Sequence, residues 1–210
     1  MDNPVITLSL GQLALAFIPV AVTLGILFLW SYGTGNAAYA LARMVIQLMA
    51  IGYVLAWIFR ADDGLLILLV LAIMLSASAW IALGTAREHR RELLAASFLS
   101  ILLGGGLTLI MITQAVLQVD PWYLPRYMIP LAGMVFSNAM TAVSLAAERL
   151  YSELGHGMSW EEARVKAYQA AMIPVINSLL AVGLVSLPGM MTGQILSGVS
   201  PLVASRYQIM

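Results

Sequence analysis

Six apolar stretches recur along this 210-residue chain, at residues 12–32, 37–59, 64–83, 93–117, 127–147 and 174–199. Each is close to the ~20 residues that carry an α-helix across a hydrocarbon core of about 30 Å. A backbone polar group in that core has no water to bond, so uninterrupted apolar runs of this length satisfy themselves as helices. The expected fold class is all-α: a polytopic transmembrane helical bundle of about six spans. Charged residues make up only 10% of the chain and hydrophobic ones 61%, against about 25% charged in soluble domains. One membrane domain over residues 1–210 is therefore expected, with no room for a sizeable soluble one. The N-terminus lacks a positive n-region, so its first apolar run reads as a true span and not a removable signal.

Charge asymmetry sets the expected orientation. Arg87, Arg90 and Arg91 lie in the turn 84–92, and Arg149, Arg164 and Lys166 in the segment 148–173, which together hold six of the ten basic residues. The positive-inside rule makes both cytoplasmic. The N-terminus, with Asp2, is then outside.

The spans are also informative for what they lack. The ten acidic residues and both histidines sit at span ends or in loops. Proton relays through membranes usually need Asp, Glu or His at depth, so proton coupling through this chain is not expected. There is no cysteine for disulfide or zinc–thiolate chemistry. The lone lysine, Lys166, precedes Ala167, so no Walker loop is present. No basic tract points to nucleic acid. Active transport would need its energy from another chain.

Two segments suggest how that energy could arrive. Ser159-Trp160-Glu161-Glu162 has the spacing of a capping box, and Glu162 stands four residues before Lys166. Trp160, Ala163, Ala167 and Ala171 make one apolar face of a short amphipathic helix over 159–172, which Pro174 is expected to bound. The favoured reading is a coupling helix seated on a soluble motor domain; the other is an interfacial helix on lipid headgroups. Further on, Pro188-Gly189-Met190-Met191-Thr192-Gly193-Gln194 places a helix breaker and polar groups inside the last apolar stretch. Either a hinge beside a translocation path or a packed kink accounts for it.

Four motifs stand out: Arg43-x-x-x-Gln47-Leu48 with Gly52-Tyr53; Ile129-Pro130-Leu131-Ala132-Gly133-Met134 continuing to Asn138-Ala139-Met140; Ala171-x-Ile173-Pro174 through Asn177-Ser178 to Val182-Gly183-Leu184-Val185-Ser186-Leu187-Pro188-Gly189-Met190-Met191-Thr192-Gly193; and Arg206-Tyr207-Gln208-Ile209. Together they resemble a small ABC-transporter permease family that includes the FetB iron-export permease and the plant aluminium-tolerance permeases. The resemblance covers the chain from about residue 37. It implies a homodimeric permease working with a separate ATP-binding subunit, which carries the ATP and magnesium, in a bacterial inner membrane. It also implies export of a metal ion such as iron. Trp160, Glu161, Glu162, Ala163 and Arg164 would then form the coupling element. Relatives continue past the position of Met210 into another membrane helix, so that final helix is expected to be absent from this chain.

Other residues carry two readings each. Arg43 and Gln47 lie one turn apart in the second span; Arg43 either snorkels to headgroups or meets substrate or a partner helix. Gly133, Ser137 and Thr141 recur every fourth residue, as in a close helix contact, with Asn138 beside them. Gly104-Gly105-Gly106 suggests close approach or flexibility in the fourth span. The thirteen methionines suit adaptable packing more than soft-metal ligation. The candidate path or hinge set is Arg43, Gln47, Asn138, Pro188, Gly189, Met190, Met191, Thr192 and Gln194. Two alternatives to an ABC permease subunit stand: a stand-alone channel or ion-coupled carrier, and a non-transporting regulatory membrane protein.

Overall fold

The structure, a computed structural model, describes residues 9–30, 34–60 and 63–210. Asp2, Asp62, the end of the first stretch at 31–32 and the N-terminal segment 1–8 expected outside the membrane lie outside the described residues. In chain order the helices are α1 (Leu10–Ala16), α2 (Ile18–Leu29), α3 (Thr34–Ile58), α4 (Gly64–Ala82), α5 (Arg90–Ser100), α6 (Leu107–Ile110), α7 (Pro125–Gly155), α8 (Trp160–Ala181), α9 (Gly189–Leu196) and α10 (Pro201–Ile209).

Among the described residues, five helical stretches are long and apolar enough to cross a membrane: Gly11–Leu29, Gly35–Ile58, Gly64–Ala82, Arg87–Val116 and Pro125–Gly155. They coincide with the first five expected spans, the fourth and fifth running longer. The sixth expected span, 174–199, is not one helix. Its first part belongs to α8, residues 182–188 leave the helical path, and α9 resumes at Gly189. The separate helix expected over 159–172 is also corrected. Pro174 does not end it, and the helix runs unbroken to Ala181.

The described chain forms two compact units. One contains α1–α3 with α9 and α10, and the other contains α4–α8; the chain passes between them after Arg60 and again at Leu187–Pro188. In the first unit Ser9 and Gln12 make a reciprocal capping box, with the Ser9 N–H donating to Gln12 Oε1 at 2.8 Å and the Gln12 N–H to Ser9 Oγ at 3.3 Å. A Schellman turn joins α9 to α10. Gly198 takes φ +89, and the Val199 N–H donates to the Gln194 carbonyl at 3.0 Å.

In the second unit α4 is 19 residues long, about 28 Å at 1.5 Å per residue, close to the hydrocarbon thickness. Its N-cap Asp63 accepts the Leu65 N–H at 2.8 Å, and Gly64 lies against Trp122 and Tyr123. Trp80 stands near its other end, so half-exposed aromatic residues mark both interfaces. Leu83, Ala86 and Ala147, with Leu93 and Leu94, close the α4–α5 turn onto α7. The Ser97 hydroxyl donates to the Ala79 carbonyl at 3.3 Å across the α4–α5 pair. His89 stacks on Tyr151 with ring centres 3.8 Å apart, so the two basic segments meet at one end of this unit.

The fourth span departs from an ordinary helix. Residues Ile101–Gly106 and Met111–Val116 are π-helical, on either side of the single turn α6. π-helix is rare and commonly occurs at functional sites. Thr108 and Thr113 donate their hydroxyls to the Gly104 and Leu109 carbonyls at 2.7 and 2.8 Å, bonding backbone in the widened stretch. Gly105 is the tight glycine of the triplet: a Cβ there would stand 3.2 Å from the Phe136 ring and 3.3 Å from Val135 of α7. Gly104 has nothing within 4 Å. Gly105→Ala is therefore expected to lower thermal stability in detergent by the ~1–3 kcal/mol of an overpacked contact. Gly104→Ala is expected to leave stability unchanged or raise it by up to ~1 kcal/mol.

Candidate functional site

The candidate coupling residues sit where α7 turns into α8. α7 closes on a Schellman turn in which Gly157 takes φ +83 and the Met158 N–H donates to the Glu153 carbonyl at 3.2 Å. Two residues later Ser159 begins α8. Its hydroxyl accepts the Glu162 N–H at 3.4 Å and donates to Glu162 Oε2 at 2.7 Å. The expected capping box is thus altered: Glu162 takes the Ser159 hydroxyl and not its backbone N–H. Nor does Glu162 pair with Lys166. The ion pairs among the described residues are His89–Glu92 and Arg149–Glu153.

The alanine face of α8 is already used within the chain. Ala163, Ala167 and Ala171 are buried, while Trp160, Glu161, Glu162 and Arg164 are exposed. Alanine at every fourth position lets two helix backbones approach closely, and the partner here is α7, which packs along α8. The expectation that Trp160 shares one apolar face with the alanines is corrected. Trp160 belongs to the free side with the acidic first turn, and Ala163 faces inward.

Further along the same seam, α7 and α8 part to form a groove of about 300 Å³. Asn138, Thr141, Pro174 and Ser178 line it. Pro174 has no N–H, so the Ala170 carbonyl one turn earlier loses its helical donor. The Thr141 hydroxyl donates to the Ser137 carbonyl at 3.0 Å. The Gly133-Ser137-Thr141 stripe splits. A Cβ at Gly133 would sit 3.6 Å from Met74 of α4, whereas Thr141 opens onto the groove.

The chain between α8 and α9 is non-helical for seven residues, 182–188. Gly183 takes φ +81 and its N–H donates to the Ser186 carbonyl at 3.0 Å; Leu184 and Val185 are almost fully exposed. Pro188 is the N-cap of α9, not a kink inside a helix, and its carbonyl accepts the Thr192 N–H at 2.9 Å. Within the first unit Met190, Met191 and Thr192 are partly buried. The side-chain oxygens of Gln194 and Gln208 are buried without a hydrogen-bond partner. Arg43 and Gln47 are exposed on one face of α3. Among the described residues there is no cluster of three His, Cys, Asp or Glu able to hold a metal ion.

The sequence alone does not mark Pro174 and Ser178 as a surface shared with Asn138, nor Gln208 as buried, because periodicity does not say which residues of two helices meet.

The profile of the uncharacterised protein family UPF0014 matches residues 10–210. The chain belongs to this family. Similar proteins include a UPF0014 membrane protein of Synechocystis sp., 38% identical over 192 residues that cover 84% of this chain and 74% of that relative. The probable iron export permease protein FetB of Escherichia coli is 35% identical over 201 residues, covering 87% and 71%. Protein ALUMINUM SENSITIVE 3 of Arabidopsis thaliana is 36% identical over 190 residues, covering 83% and 68%. No solved structure gives a significant match. This UPF0014 chain is therefore an integral membrane protein of helical-bundle type.

Ser159 holds both donor and acceptor roles at the start of α8, so Ser159→Ala is expected to cost ~1 kcal/mol of stability. Thermal unfolding of the purified protein in detergent measures it, with Ser152→Ala as the control.

Proposed function

We propose that this chain is the membrane-spanning subunit of an ATP-driven exporter, assembled as a homodimer with a separate ATP-binding subunit that supplies ATP and magnesium. A metal ion of the iron kind is the proposed cargo, following the name of the FetB relative. The chain serves as a transport subunit and not an enzyme. The proposed site is a bacterial inner membrane, with the end that carries 84–92 and 148–173 in the cytoplasm and the N-terminus outside.

One observation carries the mechanical reading. α8 is a single helix of 22 residues from the exposed acidic turn to Ala181, about 33 Å long. A push on Glu161, Glu162, Trp160 or Arg164 is therefore delivered to the non-helical segment 182–188. There the chain leaves one compact unit for the other. Because Ala163, Ala167 and Ala171 hold α8 to α7, the hairpin moves as one body. Pro188 and Gly189 then act as the hinge that separates α9 from that motion. Arg43, Gln47, Asn138, Met190, Met191, Thr192 and Gln194 are the proposed contributors to the path. Rigid bodies joined by a few residues that absorb backbone rotation are a common design for alternating access.

Glu161→Lys with Glu162→Lys reverses the charge of the docking turn without touching the alanine seam. Co-purification of the ATP-binding subunit and stimulation of its ATPase are expected to be lost. Survival of both would remove the docking role. Separately, Pro188→Ala with Gly189→Ala is expected to preserve membrane insertion and partner binding, but to abolish cargo transport in liposomes. A normal transport rate would reduce Pro188–Gly189 to a helix cap.

A further inference from the structure

A second binding surface lies on the outer side of the α4–α5 pair, away from the α7–α8 seam. A groove of about 680 Å³ runs between the two helices, lined by Ser76, Trp80, Arg91, Ala95, Phe98 and Leu99 among others. From Arg91 to Leu99 it follows one face of α5 for about two turns, roughly 12 Å. Its long floor is apolar and its one cationic lining residue stands at the end where the span begins. Arg90 lies with its guanidinium 4.4 Å above the Trp80 ring, and its buried Nε has no hydrogen-bond partner. Arg91 is exposed.

The carboxylates nearby do not neutralise this mouth. Glu92 is turned to His89 at 3.4 Å, on the side where His89 stacks against Tyr151. Glu88 is exposed in the preceding turn. Neither Arg90 nor Arg91 has an ion pair among the described residues. Two cationic groups and a tryptophan stand at an interface above a channel that descends into the apolar span. An acyl chain fits such a channel and a phosphate fits its mouth. A free phosphate would leave the channel empty. A zwitterionic headgroup would bring its own ammonium against the two guanidiniums.

We propose that the α4–α5 groove beneath Arg90 and Arg91 binds one anionic phospholipid, with the headgroup phosphate on the guanidiniums and an acyl chain along Ala95, Phe98 and Leu99. The test uses the full chain purified in neutral detergent. It is incubated with phosphatidylglycerol, phosphatidylcholine or inorganic phosphate, and retained lipid is read by native mass spectrometry. Wild type is expected to retain phosphatidylglycerol over phosphatidylcholine. Arg90→Gln with Arg91→Gln is expected to weaken that retention roughly 30-fold, the factor carried by two basic contacts near an anionic surface. Ala95→Trp fills the channel while keeping both arginines, and is expected to weaken it as well. Arg91→Lys keeps the charge and is expected to retain the lipid, and so is Arg126→Gln at the start of α7. Equal retention of the two lipids, displacement by inorganic phosphate, or wild-type retention in either the double variant or Ala95→Trp would overturn the assignment.

Discussion

Close approach of α8 to α7 is the contact on which the second unit depends. In a bilayer apolar side chains gain little by leaving lipid for protein, so helices associate mainly through packing and polar contacts. The side chains of Ala163, Ala167 and Ala171 are small enough for two backbones to meet, and all three are buried. The tight turn that starts the seam follows from the same need. Gly157 closes α7 in the left-handed region, and Ser159 opens α8 two residues later. A bulkier residue at Ala167 would force the helices apart and open the groove that holds Asn138 and Ser178.

That seam also explains why Pro174 is absorbed while the helix stops seven residues later at Ala181. An interior proline costs a helix ~3 kcal/mol or more. At Pro174 the preceding turn is held by the alanines against α7, and the helix continues to Ala181. By Val182 the alanine face has run out. Gly183 takes a positive φ, and Pro188 restricts the residue before it to extended backbone. Here the chain takes a non-helical path over 182–188. Such backbone at membrane depth requires protein or water to satisfy it, which is why 182–188 is the place to look for a moving part.

The spans were legible because bilayer thickness imposes one length on every apolar run. The long fifth span was underestimated at 127–147. Glu148, Arg149 and Glu153 look like loop, yet α7 carries them to Gly155, with Arg149 and Glu153 paired one turn apart. The π-helical stretches left no trace in the pattern, since residues 93–117 are apolar or small on nearly every side and a shifted face reads the same. Gly104-Gly105-Gly106 signalled closeness, but only coordinates single out Gly105 as the residue against Phe136. The apolar face expected on α8 differs from the buried one because periodicity groups residues by angle and cannot say which angle meets a neighbour. Trp160 was counted with the alanines and lies outside their buried strip.

The chemistry available at depth constrains what a proposed metal cargo would meet. No described span offers a cluster of carboxylates, thiols or imidazoles. Arg43 stands within α3, and its charge repels a bare cation. The remaining polar groups are neutral oxygens and nitrogens. One set is Asn138, Thr141 and Ser178 in the groove between α7 and α8. Another, in the other unit, includes the unpartnered oxygens of Gln194 and Gln208. Neutral oxygen ligands bind hard cations weakly compared with carboxylates. Weak binding suits passage, because a site that must release its cargo on each cycle gains nothing from a deep well. A path of this kind would select by geometry and hydration, with net affinity supplied elsewhere. In the proposed exporter the energy to move cargo one way would come from the ATP-binding subunit, through the α7–α8 hairpin.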